Sequence, residues 1–364
     1  MSHPIRIAVL WQHVTGYVQA ALDGLLAADA RVTLLVVQAI EQRNDPFQVA
    51  SHARQQVIQI TQEIDWLEQV VAFQPVLAVI SASGGSAYRE AARRLHVQSC
   101  IIVWADDRVH IDRLRDTYQA LLGRVFKRWR HFDAAFVPGV QAAAYAASVG
   151  FDEQRIFHGL YSCDVGLFRP IGQQRHQQAA EWPRRFFYLG QFIERKGIDS
   201  LLAAYRRYRQ TCESEPWELW CAGRGELESL LQDESGVRVL GFLNSAECAT
   251  VMSQVGAFVL PSRWDHWGVV LHEAASAGLP IIASDRCFGT RDLVRHNQNG
   301  IIFTAGDAEQ LTDALHHFSD AHTASEAGRH SLRMAAQFSP SHFANTLLHD
   351  IPRLLKGNSL CVSS

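Results

Sequence analysis

Several signatures are missing from this chain of 364 residues, and each absence narrows the reading. Its longest apolar runs, Ile7 to Trp11, Val32 to Val37 and Ile101 to Ala105, are strand-sized. None approaches the ~18–20 residues needed to span a bilayer. Excess charge of either sign is lacking too: 34 Lys and Arg face 37 Asp and Glu, for a formal net charge of −3 and a pI of about 6.6. No global field therefore draws nucleic acid. The seven cysteines are odd in number and none sits in a C-x-x-C pair, so neither a zinc site nor a disulfide framework is indicated. They read as small buried hydrophobes in a reducing compartment. Seventeen histidines give no H-x-x-x-H pair with a third ligand nearby, so no metal is expected. Met1 to Arg6 runs straight into a strand without a leader pattern. The expectation is a cytoplasmic protein, touching an inner membrane surface at most peripherally.

What the chain does have is alternation. Strand-like runs at Ile5–Trp11, Val32–Val37, Val76–Ile80, Ile101–Trp104 and Ala134–Pro138 alternate with helical patterns at Tyr17–Ala28, Gln48–Phe73, Ala87–Leu95 and Arg113–Arg130. A second series of strands follows at Arg185–Leu189, Glu218–Ala222, Val237–Leu240, Ala257–Leu260, Ile281–Ala283 and Ile301–Phe303. Such alternation is the signature of parallel sheets with crossover helices. The fold class expected is α/β, with two doubly wound Rossmann-like domains facing across a cleft. The domains read as 1–170, a Gln-rich and Pro-bracketed linker at 171–183, 184–335, and a C-terminal helix and tail at 336–364 that returns to the first domain.

Chemistry concentrates after the strand Ala257–Leu260. Asp265 precedes Gly268, and Val269, Val270, Leu271 and Ala274 give an apolar helical face that ends at Gly278 before Pro280. Free N–H groups and the positive end of the helix dipole favour an anion at Gly268. Asp265 and Glu273 flank that anion site, which suits a ligand with a phosphate in the middle and hydroxyls at both ends. An ordinary βαβ helix with Asp265 as N-cap and Glu273 in water accounts for the same spacing. Upstream, Gly190-Gln191-Phe192-Ile193-Glu194-Arg195-Lys196-Gly197 is a glycine-bracketed strand-to-helix loop with a basic pair where a diphosphate could be gripped. Gly223 and Gly225 permit a tight turn after the next strand. Gly241-Phe242-Leu243 offers an apolar surface to a base, or a piece of core.

Taken in order, Gly190, Arg195-Lys196-Gly197, Ala222-Gly223-Arg224-Gly225-Glu226, Leu240-Gly241-Phe242, Leu260-Pro261-Ser262, Asp265-x7-Glu273-Ala274, Gly278-Leu279-Pro280 and Asn299-Gly300 resemble the C-terminal domain of the retaining glycosyltransferases of family four, with the GT-B fold. The resemblance implies that Lys196 and Arg195 neutralise the donor diphosphate and that Asp265 contacts the transferred sugar. It further implies that Glu273 holds the nucleotide ribose, and that Gly268, Val269 and Val270 supply phosphate-binding amides. Gly190, Gln191, Gly223 and Leu243 complete the donor side, with Gly16 under the phosphates from the N-terminal domain. Gln191 stands where the family often has Arg, and Asp265 is one methylene shorter than the family's Glu. The implied reaction moves a sugar, with retention and without a metal or cofactor, from a nucleotide-diphosphate-sugar co-substrate to a glycan, lipid-linked or small-molecule acceptor.

In the N-terminal half, His13, Gly84, Asp106 and Asp107 are the candidate acceptor contacts, with His110 a further histidine near the sugar. The other reading of Asp106 and Asp107 is a helix N-cap pair, which their place after a strand favours. Residues 108–130 carry seven Lys and Arg against Asp112 and Asp116, interleaved with Leu, Val, Phe and Trp. That segment suits either an anionic membrane surface or a helix packed on its own sheet. Rival functions are an epimerase or phosphorylase on the same fold, and a non-catalytic partner subunit that keeps the fold alone.

Overall fold

Ile5–Trp11 forms β1, and Ile7–Leu10 within it is buried on both faces, as the apolar run that starts at Ile7 requires. The computed structural model describes residues 3–39, 52–60, 65–109, 113–177, 181–357 and 360. These fall into two units, Met1–Ser162 with Ser339–Ser364, and Cys163–Phe338.

In the first unit, α1 (Gly16–Ala28) leads to β2 (Val32–Ala39), then β3 (Gln55–Ile60), α2 (Trp66–Phe73), β4 (Leu77–Ser81), α3 (Gly85–Val97), β5 (Ile101–Ala105), α4 (Arg113–Val125), β6 (Ala134–Val137), α5 (Val140–Ser148) and β7 (Ile156–His158). The sheet is wholly parallel, in the order β3-β2-β1-β4-β5-β6-β7. The order reverses between β1 and β4, so the loops after these two strands frame the switch point. Residues 339–364 belong to this unit, where Pro340–Asn345 packs on α1. A Cβ on Gly24 would lie 2.6 Å from Pro340 Cβ, so the bare glycine is what permits that contact.

The second unit runs α6 (Val165–Gln177), β8 (Arg185–Leu189), α7 (Ile198–Thr211), β9 (Glu218–Ala222), β10 (Val237–Gly241), α8 (Ser245–Met252), β11 (Ala257–Leu260), α9 (Val269–Ser276), β12 (Ile281–Ser284), α10 (Thr290–Leu293), β13 (Gly300–Phe303), α11 (Ala308–Phe318) and α12 (Ala321–Ala335). Its parallel sheet has the order β10-β9-β8-β11-β12-β13, the same 3-2-1-4-5-6 winding as the first six strands of the other unit. An aromatic core of Phe186, Tyr188, Tyr205, Tyr208 and Trp217 fills the space between sheet and α7.

Three expectations are corrected. Gln48–Phe73 is not one helix: Gln55–Ile60 is an edge strand, because Val57, Ile58 and Ile60 are β-branched and β2 offers a free parallel ladder. Residues 40–51 and 61–64 lie outside the described residues. The linker at 171–183 is likewise absent through residue 177, which ends α6. Phe168 and Gly172 are buried there, Arg175 Nη1 donates to Val255 O at 2.8 Å, and the unit boundary falls between Ser162 and Cys163. Finally, the helix drawn to Arg130 ends at Val125 in a Schellman-type turn. Arg128 N donates to Gly123 O at 2.9 Å, and Lys127 takes the left-handed conformation (φ 45°).

Candidate functional site

β8 and β11 are hydrogen-bonded neighbours at the reversal of strand order in the second sheet, so the loops leaving them converge at the carboxyl edge. The first loop closes in a single 3-10 turn, Glu194–Lys196, and Gly197 follows at φ 69°. A Cβ at Gly197 would fall 2.1 Å from Pro261 O in the second loop, so the two loops touch only because Gly197 has no side chain. Arg263 N donates to Arg195 O at 2.8 Å and fastens them further. Lys196 Nζ then reaches Asp265 Oδ2 at 2.5 Å, with both side chains largely buried.

Asp265 is not the cap of α9. Its backbone is held instead, with its N–H on Arg286 O and its carbonyl accepting from Phe288 N. The cap position belongs to Gly268, at φ 71° and without a side-chain cap bond. A Cβ there would stand 2.8 Å from Cys287 Sγ and 3.1 Å from Leu260 Cδ2. The amides of Gly268, Val269 and Val270 are thus left without an intrahelical acceptor at the positive end of the dipole.

On the same helix, the Glu273 carbonyl accepts from Ala277 N at 2.9 Å, while its carboxylate has no hydrogen-bonding partner among the described residues. Burial, and to a smaller degree the Asp164 carboxylate, push its pKa up to about 7. Its neighbour His272 is fully buried, and burial holds its pKa down at about 4. His272 Nδ1 accepts from Cys163 N at 3.0 Å and Nε2 donates to Ala335 O at 3.1 Å, which requires the neutral ring. Sequence reading passed over His272 because an apolar helix face gives a lone histidine no distinguishing pattern.

The remaining donor-side candidates divide. Gly190 and Gly223 meet backbone to backbone: a Cβ at Gly223, φ 144°, would lie 1.9 Å from Gly190 O. Gln191 is exposed and accepts from Tyr188 Oη through its carbonyl at 2.8 Å. Arg195 is directed elsewhere than Lys196. Its guanidinium stacks on Trp264, 4.8 Å from the ring centroid, and Nη1 donates to Trp264 O. Leu243 is half-buried, beside an exposed Phe242 that Arg224 overlies at 5.9 Å. No hydrogen bond or ion pair joins Glu273 to Lys196 among the described residues. Arg263, which the sequence did not single out, braces the loop with Glu194 at 2.9 Å and Asp199 at 2.5 Å.

In the first unit, His13 follows β1, Gly16 opens α1 and Gly84 follows β4, with Gln12 Nε2 donating to Ser83 O at 2.9 Å across the switch point. Asp106 is buried and pairs with Arg108, Nη2 to Oδ2 at 2.5 Å; burial raises its pKa while Arg108 opposes the rise. Asp107 hydrogen-bonds the buried Tyr161 hydroxyl. Asp106 caps no helix: its carboxylate turns back on Arg108 N and Nε. His110 lies outside the described residues. No group of three or more His, Cys, Asp or Glu among the described residues could hold a metal ion.

Comparison with known proteins bears on the same segment. Residues 183–320 match the family described as glycosyl transferases group 1. A phosphatidyl-myo-inositol mannosyltransferase of Mycobacterium leprae is 33% identical over 147 residues, 38% of each chain, so the match spans well under half of that relative. Sucrose-phosphate synthase from Thermosynechococcus elongatus superposes with a TM-score of 0.71 at 18% identity, over 97% of this chain and 100% of that one. Anabaena HepE, solved in complex with UDP and glucose, gives 0.69 at 15% identity with the same coverage. Each unit is a Rossmann-like parallel α/β fold, the structural neighbours are GT-B glycosyltransferases, and residues 183–320 of the second unit match the glycosyl transferases group 1 family.

Proposed function

We propose that this protein is a glycosyltransferase that moves a sugar from a nucleotide diphosphate sugar to an acceptor hydroxyl, with retention. The observation that carries the reading is the meeting of Lys196 and Asp265 from adjacent strands at the switch point, within the matched segment and one short turn before the amide-bearing start of α9. Lys196 gives one N–H to Asp265 and keeps two for diphosphate oxygens. As the anomeric C–O bond breaks, charge grows on the departing diphosphate, where Lys196 and the Gly268–Val270 amides meet it. The acceptor oxygen bonds the anomeric carbon from the same face, and its proton passes to the leaving phosphate oxygen. Asp265 contacts the transferred sugar and Glu273 the ribose. The protein's own positive groups neutralise the diphosphate, so no metal is assigned a role. The relatives' printed names, a mannosyltransferase among them, and HepE's complex with UDP and glucose support the substrate class.

Nucleotide release measured across UDP-, GDP-, ADP- and dTDP-sugars tests this. The wild type should turn over at least one donor, and Lys196→Ala should slow it on the order of 10²–10³-fold. An active wild type indifferent to that substitution rejects the assignment. Nucleotide binding with no release from any sugar would instead favour a non-catalytic subunit.

A further inference from the structure

Among the described side chains of α4, the bulky apolar ones at Tyr118, Leu121 and Val125 point outward. At ~100° per residue, its buried positions Ala120 and Gly123 face one way, Gly123 lying 3.7 Å from Trp129 Nε1 and 3.9 Å from Val149 Cβ through an added Cβ. Tyr118, Leu121 and Val125 lie on the opposite side and are 63%, 57% and 64% exposed. Phe126, just past the helix end, is 73% exposed. A helix that served only the core of this unit would reverse that arrangement.

The charge beside this stripe is net positive. Residues 117–132 contain Arg124, Lys127, Arg128 and Arg130 and no carboxylate. The Schellman-type turn at Lys127 fixes these cations around the helix end. Arg89, on α3, adds to the excess: it lies close enough to Arg128 for the two to repel, and its Nη1 is buried without a partner. Between α4 and the chain entering β7 an open cavity of about 620 Å³ is lined by Arg124, Lys127, Arg130 and Arg155. Two carboxylates also line it, Asp133 and Asp152, each held by a backbone amide (Ile102 N at 2.8 Å, Gln154 N at 3.0 Å), so four cations face two anions and the lining is net positive. All of this lies at the amino edge of the first sheet, since α4 runs back to the start of β6. His13, Gly84, Asp106 and Asp107 follow strands at the carboxyl edge.

We propose that this face docks on an anionic lipid bilayer, with Tyr118, Leu121, Val125 and Phe126 among the headgroups and upper acyl chains and the four cations over lipid phosphates. The cavity beside α4 takes a headgroup phosphate. Apolar residues set among a net excess of cations fit an interfacial helix. A protein interface would have a core depleted of charge. A two-fold contact with a second copy would bring four cations against four. No helix among the described residues is long and apolar enough to cross a membrane, so the contact is one of the surface. The inference stands independently of sugar transfer.

Flotation of the full chain with vesicles tests it, comparing phosphatidylcholine alone with vesicles holding about 30% phosphatidylglycerol. Binding should require the anionic lipid and should fall steeply between ~0.05 and ~0.5 M salt. Each single substitution among Arg124→Gln, Lys127→Gln, Arg128→Gln and Arg130→Gln should weaken it about fivefold. The triple variant Leu121→Ser, Val125→Ser, Phe126→Ser should weaken it at least ~10-fold with an unchanged thermal midpoint, because these side chains are already exposed. Equal binding to phosphatidylcholine alone, binding indifferent to salt, or a triple variant that binds like the wild type would each overturn the proposal. So would a concentration-dependent dimer abolished by the triple variant, or capture of free glycerol phosphate by a chain that ignores vesicles.

Discussion

Lys196 Nζ sits 2.5 Å from Asp265 Oδ2, and the two side chains are only 14% and 15% exposed. The pair joins the loops after two neighbouring strands, so it sets the spacing of the switch point as well as its charge. Removing one partner leaves the other largely desolvated and unpaired. Lys196→Ala is therefore expected to cost about 2 kcal/mol of stability, the worth of a charge-assisted hydrogen bond. Urea unfolding would measure this. Combining it with Asp265→Asn should add less than the sum of the two single changes. Strict additivity would mean that the contact contributes nothing to folding.

Arg195 offers the contrast. Its guanidinium is spent on Trp264, so Arg195→Gln should lower nucleotide release far less than Lys196→Ala. A difference of at least ~10-fold between the two variants is expected, since only Lys196 is assigned to the developing charge. Equal losses would place Arg195 on the diphosphate as well. The resemblance implied that role for both residues, because adjacent cations in a glycine-bracketed loop cannot be told apart until the side chains take their directions.

Three glycines should rank by what their Cβ would meet. Gly223→Ala drives a methyl to 1.9 Å from the Gly190 carbonyl at φ 144°, where backbone must move. Gly268→Ala, at φ 71°, meets Cys287 Sγ and Leu260, which can give a little. Gly190→Ala approaches the Tyr188 hydroxyl at 3.0 Å with no positive φ. Thermal midpoints should fall in that order, with Gly268→Ala costing on the order of 2 kcal/mol from left-handed strain and crowding. Gly268→Ala should also weaken nucleotide binding more than Gly190→Ala does. An inverted order in titration calorimetry would remove the phosphate role from Gly268.

Much of this was legible in the chain. β1, β8, β9 and β11 have the bounds their apolar runs announce, because strands buried on both faces show as continuous hydrophobic segments. Gly278, at φ 70°, ends α9 as its place before Pro280 suggests. The edge strand Gln55–Ile60 was hidden because three of its six residues are Gln, which leaves too short an apolar run to announce a strand. Asp106 looked slightly more like a cap than a contact, since a buried pairing with Arg108 two residues on leaves no periodic trace. The outward apolar face of α4 was invisible for a related reason: periodicity shows that a stripe exists, not which way it points.

His272 and Glu273, adjacent on α9, should drive stability in opposite directions with pH. Burial raises the Glu273 pKa to about 7, so the folded chain binds its proton more tightly than the unfolded chain does. That stabilisation is complete below about pH 4.5 and is lost as pH rises through about 7. Burial lowers His272 to about 4, so its stabilisation is present above about pH 6.5 and is lost as pH falls through about 4. The two slopes oppose each other between about pH 4.5 and 6.5. Glu273→Gln removes one of them. Relative to wild type, this variant should gain about 2 kcal/mol at pH 8 and lose that advantage toward pH 4.5. Its stability should then climb with pH across the window where wild type is flatter. The same substitution should weaken nucleotide binding at pH 8 and abolish any rise in affinity through pH 7 that the ionised carboxylate gives the wild type. Urea midpoints and calorimetric titrations with nucleoside diphosphates at pH 5, 6.5 and 8 would read both effects. A variant whose stability parallels wild type at all three values would mean that Glu273 is ionised throughout, in an environment wetter than its position on α9 implies.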